Sequence, residues 1–186
     1  MFIQTEATPN PATLKFLPGR IVMPEGTFEA RNEESAGVSP LAGRLFAIPG
    51  VTGVFFGYDF ITVTKADGEW QHLKPAILGG IMEHFMTGAP LFTNAAPPAD
   101  EDGEEFFDEA DASTVATIKE LLETRIRPAV AGDGGDITFR GFKDGIVYLV
   151  MKGACSGCPS STATLRHGIQ NLLRHFLPDV REVQAV

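Results

Sequence analysis

Cysteine is almost absent: the 186-residue chain carries two, both inside Cys155-Ser156-Gly157-Cys158. That scarcity excludes a disulfide-built scaffold, and a bridge between cysteines this close in sequence would close too small a loop to stabilise much. Basic residues are also few. Fifteen Lys and Arg stand against 24 Asp and Glu, for a net charge of −9, which excludes a general nucleic-acid binder whose affinity comes from neutralising phosphates. No apolar run approaches the length that a bilayer-spanning helix needs. Met1-Phe2-Ile3-Gln4-Thr5-Glu6 has neither the basic and apolar segments of a secretory leader nor the Arg-rich character of an organelle transit peptide. These absences lead to the expectation of a cytosolic chain with no membrane and no nucleic-acid partner.

What is present is enough apolar material, 44% of the residues, to build one ordinary domain or two small ones. Charge divides the chain. Residues 98–112 hold eight acidic residues and no basic one, next to Pro97 and Pro98, a composition that repels itself and reads as a linker. The expected organisation is α+β: a domain over residues 1–90, an acidic flexible linker over 91–112, and a second domain over 113–186. Phe106 and Phe107 stand out within the linker as a pair that packs locally, docks on a neighbouring surface, or starts the next helix.

In the second domain, Ser113 is a candidate cap for a helix in which Val115, Ile118, Leu121, Leu122 and Ile126 recur at helical spacing, ending near Pro128. Two strands, Ile137 to Phe142 and Ile146 to Met151, flank Lys143-Asp144-Gly145, where Asp-Gly signals a tight hairpin. A helix then starts with Pro159 at its first position, carries Leu165, Ile169, Leu172, Leu173 and Phe176, and stops at Pro178. Val180 to Val183 is a short strand. The expected result is a small mixed sheet covered by two helices.

The first domain reads as strands Phe2–Ala7 and Thr13–Leu17 around Pro9-Asn10-Pro11, a polar loop, and a short helix from Ser39-Pro40 to Phe46. A hairpin over Val51–Lys65 follows, then a helix over Leu73–Met86 that begins near Lys74-Pro75. Trp70, Phe55 and Phe56 read as core or sheet-face residues, and no metal-ligand spacing occurs in this domain.

The chemistry therefore rests on Cys155 and Cys158. Two thiols are half of a four-thiolate metal site, so the other half has to come from a second chain or be left open. A cysteine just before a helix faces unpaired amides and the positive end of the helix dipole, which favour thiolate; Cys158 holds that position if Pro159 opens the helix. A thioredoxin-type redox pair uses the same spacing, but the Trp and Gly-Pro that accompany it are missing. Zinc would need further ligands. His167 lies nine residues past Cys158 on the same expected helix, roughly 13 Å along its axis, and both it and His175 read as helix-surface residues. Asp133-Gly134-Gly135-Asp136 reads as a turn rather than a metal or phosphate loop.

The wording around the cysteines adds to their spacing. Gly153-Ala154-Cys155-Ser156-Gly157-Cys158-Pro159-Ser160-Ser161, continuing Thr162-Ala163-Thr164-Leu165, resembles the NifU-like C-terminal domain of Nfu-type iron–sulfur cluster carrier proteins. Arg127-Pro128 through Asp133-Gly134-Gly135-Asp136-Ile137 resembles that family's second signature. Phe2-Ile3-Gln4-Thr5-Glu6, with Pro9-Asn10-Pro11 and Lys15-Phe16, resembles its N-terminal domain. The resemblance implies a non-enzymatic scaffold or carrier that binds a 4Fe-4S cluster between two protomers through Cys155 and Cys158 of each. It further implies a homodimer when loaded, an upstream cluster donor, and apo iron–sulfur proteins as recipients, with the N-terminal domain serving target recognition or access to the site. The alternative from the residues alone is a thiol-disulfide oxidoreductase with Cys155 as nucleophile and Cys158 as resolver; a zinc-bridged structural dimer is a third.

Overall fold

The computed structural model describes residues 2–93, 104–156 and 159–186, the last stretch without the side chains of residues 159–161. The chain is α+β and divides into two compact units, Met1–Ala99 and Asp100–Val186. Of the stretch read as a linker, residues 94–103 lie outside the described residues. Among the described residues no helix is long and apolar enough to cross a membrane.

The first unit is built on five antiparallel strands: β1 (Gln4–Ala7), β2 (Thr13–Leu17), β3 (Phe28–Ala30), β4 (Val51–Phe56) and β5 (Ile61–Lys65). Their spatial order is β1-β2-β5-β4-β3, with Phe16 opposite Ile61 and Phe56 also opposite Ile61. Three helices complete it among the described residues: α1 (Glu33–Ala36), α2 (Pro40–Phe46) and α3 (Trp70–Thr87). Ser39 caps α2 as expected, its hydroxyl accepting from the Ala42 amide at 3.2 Å. Phe16, Phe56, Leu41, Leu45, Ile61, Ile77 and Ile81 are fully buried in one core. Phe55 and Phe56 are buried, and the half-buried Trp70 donates its indole N–H to the Pro11 carbonyl at 3.1 Å.

Two elements depart from the sequence expectation here. The polar loop contains β3 and α1, the latter capped reciprocally by Asn32 and Ser35; elements of three and four residues are too short to display a period. Helix α3 starts at Trp70, with Pro75 inside it. A proline close to a helix start forfeits a single hydrogen bond, which the preceding turn tolerates when Leu73 and Ile77 are both buried.

The second unit opens with α4 (Ala112–Leu121), which passes through a π-helical turn, Leu122–Ile126, into α5 (Arg127–Gly132). The expected stop at Pro128 does not occur. The Arg127 amide bonds back to the Leu122 carbonyl five residues away, and this wider turn makes room for a ring that has no N–H to donate. Next come β6 (Gly135–Lys143), β7 (Ile146–Gly153), α6 (Pro159–Phe176) and β8 (Glu182–Ala185). Strands β6 and β7 are antiparallel, and β8 lies parallel to β7 on its far side, a pairing that needs the α6 crossover. The β6–β7 turn has Asp144 at φ 53° and Gly145 at φ 79°, the two positive values a two-residue hairpin turn demands.

A bulge between Phe139 and Gly141 resets the alternation of β6, so that Phe139 and Phe142, three positions apart, both enter the core. They meet Ile118, Leu121, Ile126, Val147, Leu149, Ile169 and Leu173. Phe176, expected on the buried stripe of α6, is instead 44% exposed, with the Arg125 guanidinium 5.1 Å from its ring centroid. Phe106 packs locally. Its amide donates to the Arg140 carbonyl, its carbonyl accepts from the Phe142 amide, and its ring lies over Gly141, 5.2 Å from that of Tyr148.

Candidate metal centre

Strand β7 ends at Gly153, whose φ of 68° turns the chain into Ala154-Cys155-Ser156. Three bonds hold this turn. The Ala154 amide donates to the Gly134 carbonyl at 3.2 Å, and the Ser156 amide and hydroxyl both donate to the Gly153 carbonyl, at 3.1 and 2.9 Å. From the other side the Thr162 hydroxyl, in the first turn of α6, donates to the Cys155 carbonyl at 2.9 Å. Helix α6 begins at Pro159, where the sequence puts it, directly after Cys158. Gly157 and Cys158 themselves lie outside the described residues.

Cys155 is 7% exposed and joins the core of the second unit. Its sulfur rests on Gly135, the first residue of β6: a Cβ at that position would stand 2.7 Å from Sγ and 2.7 Å from the Lys152 carbonyl oxygen. Only a residue without a side chain fits there. Burial, then the charges of Asp133 and Asp136, push the Cys155 thiol up to about 12. This sulfur is a protonated, shielded thiol, and any metal held there would require it to shed the proton.

The turn Asp133-Gly134-Gly135-Asp136 is structural, as expected: Gly134 has φ 82° and its carbonyl anchors the cysteine loop. One member does more than the sequence suggested. Asp136, whose side chain is 5% exposed, receives Arg127 in a two-pronged grip, Nε to Oδ1 at 2.9 Å and Nη2 to Oδ2 at 3.0 Å. Arg127 also donates Nη1 to Glu123 Oε2 at 2.7 Å, and its pKa is raised chiefly by the bond to Asp136, against the cost of burial. The available signal was the Glu-to-Arg spacing of four on a helix beside a glycine turn ending in Asp. His167 and His175 are exposed on α6, consistent with their reading as surface residues. Among the described residues, no group of three or more His, Cys, Asp or Glu side chains is placed to hold a metal ion.

Comparison with known proteins fits this geometry. Residues 3–88 match the family described as "Scaffold protein Nfu/NifU N terminal", and residues 118–184 match the "NifU-like domain". Across the full chain, the sequence is 50% identical to the human "NFU1 iron-sulfur cluster scaffold homolog, mitochondrial" and covers 72% of that protein. The chain belongs to the Nfu family of NifU-like proteins.

Other Nfu relatives agree. The Drosophila sechellia protein with the same description as the human one is 51% identical over the whole chain, and the Arabidopsis thaliana "NifU-like protein 4, mitochondrial" is 52% identical over 99% of it. The chain spans 65% of the length of these two. All three Nfu relatives are named mitochondrial, which overturns the expectation of a cytosolic protein. That expectation rested on the lack of leader or transit character in Met1–Glu6, whereas the Nfu N-terminal match begins at residue 3 and β1 at Gln4. The composition of those residues serves a strand.

Proposed function

We propose that this chain is an iron–sulfur cluster scaffold and carrier that holds a 4Fe-4S cluster between two copies, Cys155 and Cys158 of each supplying the four thiolates. The observation that carries this reading is the ligand count. The segment that matches the NifU-like domain contains one C-x-x-C pair, which holds both cysteines of the chain, and the described residues offer no group of three or more His, Cys, Asp or Glu placed to hold a metal ion. A second copy is the simplest source of the remaining sulfurs. The cluster is cargo, received from an upstream donor and passed to apo iron–sulfur proteins, so the chain acts without catalysing a reaction. The iron–sulfur scaffold names of the human and fly relatives point the same way.

The local chemistry suits a carrier. With the thiol of Cys155 protonated and packed on Gly135, the empty chain is guarded against stray oxidation, and loading exchanges protons for iron. The same burial disfavours a thiol-disulfide oxidoreductase, whose attacking sulfur needs a lowered pKa and access to its target.

Anaerobic reconstitution with iron and sulfide, followed by Mössbauer spectroscopy and mass measurement in solution, tests the proposal. The expected result is a 4Fe-4S spectrum with about four iron per pair of chains, lost in both Cys155→Ser and Cys158→Ser. A cluster held by a single copy, or retained after either substitution, overturns it.

A further inference from the structure

We propose that Arg127 is the positioning residue of the cluster site: by gripping Asp136 it sets the start of β6 beneath Cys155 and offsets the aspartate's negative charge beside an anionic cargo. The claim rests on the function proposed above and extends it to residues that touch no metal.

The connection is short and made of stated contacts. Asp136 follows Gly135, the residue on which the Cys155 sulfur rests, and Gly134, whose carbonyl holds the Ala154 amide. Across the ladder, Gly135 pairs with Gly153 and Asp136 with Lys152, the two residues that lead into the cysteine turn. Arg127 thus grips the strand beside both the floor of the sulfur and the anchor of its loop. Its own footing is firm, since Glu123 binds a third guanidinium nitrogen and the π-helical turn ends at Ile126, immediately before it. The grip is bidentate on a carboxylate, a geometry that a planar guanidinium makes and an ammonium does not.

Charge gives the arrangement a second purpose. Four thiolates around an iron–sulfur core leave a net negative cluster, and reduction potential and retention respond to nearby charge. Removing Arg127 takes one counter-charge from Asp136, whose carboxylate would then oppose the cluster's charge more strongly from a site with little water to screen it. A residue that braced the strand only through an ion pair would leave it as poorly held when both partners lose their charge as when the arginine alone does. A charge-offsetting residue becomes dispensable when Asp136 loses its charge.

Four full-length proteins decide the matter: native, Arg127→Lys, Arg127→Gln, and the double variant Arg127→Gln with Asp136→Asn. Each is reconstituted anaerobically, and cluster loss to an iron chelator is followed by visible absorbance. Arg127→Gln is expected to lose its cluster about tenfold faster or more, the usual consequence of removing a partner outside the ligand shell. Arg127→Lys should fall between it and native. The double variant should return to within about threefold of native, because the opposing charge is removed together with its partner while the two side-chain amides can still hydrogen-bond across the same gap. Native retention in Arg127→Gln overturns the proposal. So does a double variant as poor as the single one while both unfold at the native temperature. If Arg127→Gln does not fold, the lysine and double variants carry the same comparison.

A second readout needs no cluster. In the metal-free proteins, iodoacetamide should reach Cys155 about tenfold faster in Arg127→Gln, because the floor under the sulfur has shifted. Equal rates overturn the positioning role. Failure of the native chain to take up a cluster, alongside a faster alkylation of the variant, would sink the function proposed above while leaving the grip of Arg127 on the cysteine loop in place.

Discussion

Gly135 and Cys155 occupy the same space to within the size of one methyl group. A Cβ on Gly135 would meet both the sulfur and the Lys152 carbonyl oxygen at 2.7 Å, and a backbone oxygen cannot yield as a flexible side chain would. Gly135→Ala should therefore destabilise the second unit by about 1–3 kcal/mol, the usual cost of overpacking, and impair cluster retention. Gly132→Ala is the control, because nothing lies within 4 Å of a Cβ there; its change should stay within about 0.5 kcal/mol. Thermal unfolding by circular dichroism and reconstitution yield measure the pair.

Cys155 sets an alkaline limit. Its thiol is raised from 9.0 to about 12, so the folded chain binds a proton that the unfolded chain releases above pH 9. The stability this contributes is fully present below that pH and is lost as pH rises toward 12. At about pH 8, iodoacetamide should modify Cys155 roughly a hundredfold or more slowly than the same residue in the denatured chain. Intact-mass kinetics in a Cys158→Ser background isolate the reaction, and equal rates with and without denaturant would refute the shielding.

His84 sets an acid limit in the other unit. It is buried on α3, its Nδ1 has no hydrogen-bond partner among the described residues, and burial followed by the charge of Arg44 lowers its pKa from 6.5. A depressed histidine means that the unfolded chain binds the proton first. Stability of the first unit should hold above pH 6.5 and decline as pH falls below it, until the folded imidazole also protonates. His84→Leu should remove that part of the acid sensitivity, since it replaces an unpaired polar ring with an apolar group. Unfolding curves on either side of pH 6.5 test the slope.

Trp70 is the sole tryptophan and packs against the core of the first unit. Among the described residues the two cores share none. Substitutions at Gly135 or Arg127 should consequently shift the circular-dichroism transition while leaving the Trp70 fluorescence transition unmoved. A matching shift in both signals would show that the units unfold together.

How much of this was legible in the sequence depends on the range of the interaction. The Asp144-Gly145 hairpin and the start of α6 at Pro159 were readable because their cause is local backbone preference. The half-site was inferred from the cysteine spacing alone, and its second sulfur lies outside the described residues. The continuation of α4 past Pro128 was not readable, because the wider π-helical turn that accommodates the ring answers to the burial of Leu122 and Ile126 rather than to propensity. β3 and α1 were too short to carry a pattern. The seat of the Cys155 sulfur on Gly135 and the grip of Arg127 on Asp136 are tertiary facts, twenty and nine residues apart in sequence, and no window of periodicity contains them.

The small bridge made by Phe106 has a consequence for self-association. By taking the Arg140 carbonyl and the Phe142 amide, it consumes the rungs at the middle of the outer border of β6, so a twin molecule cannot extend the sheet there by zipping strand to strand. Any encounter between copies would therefore have to use a face other than this border.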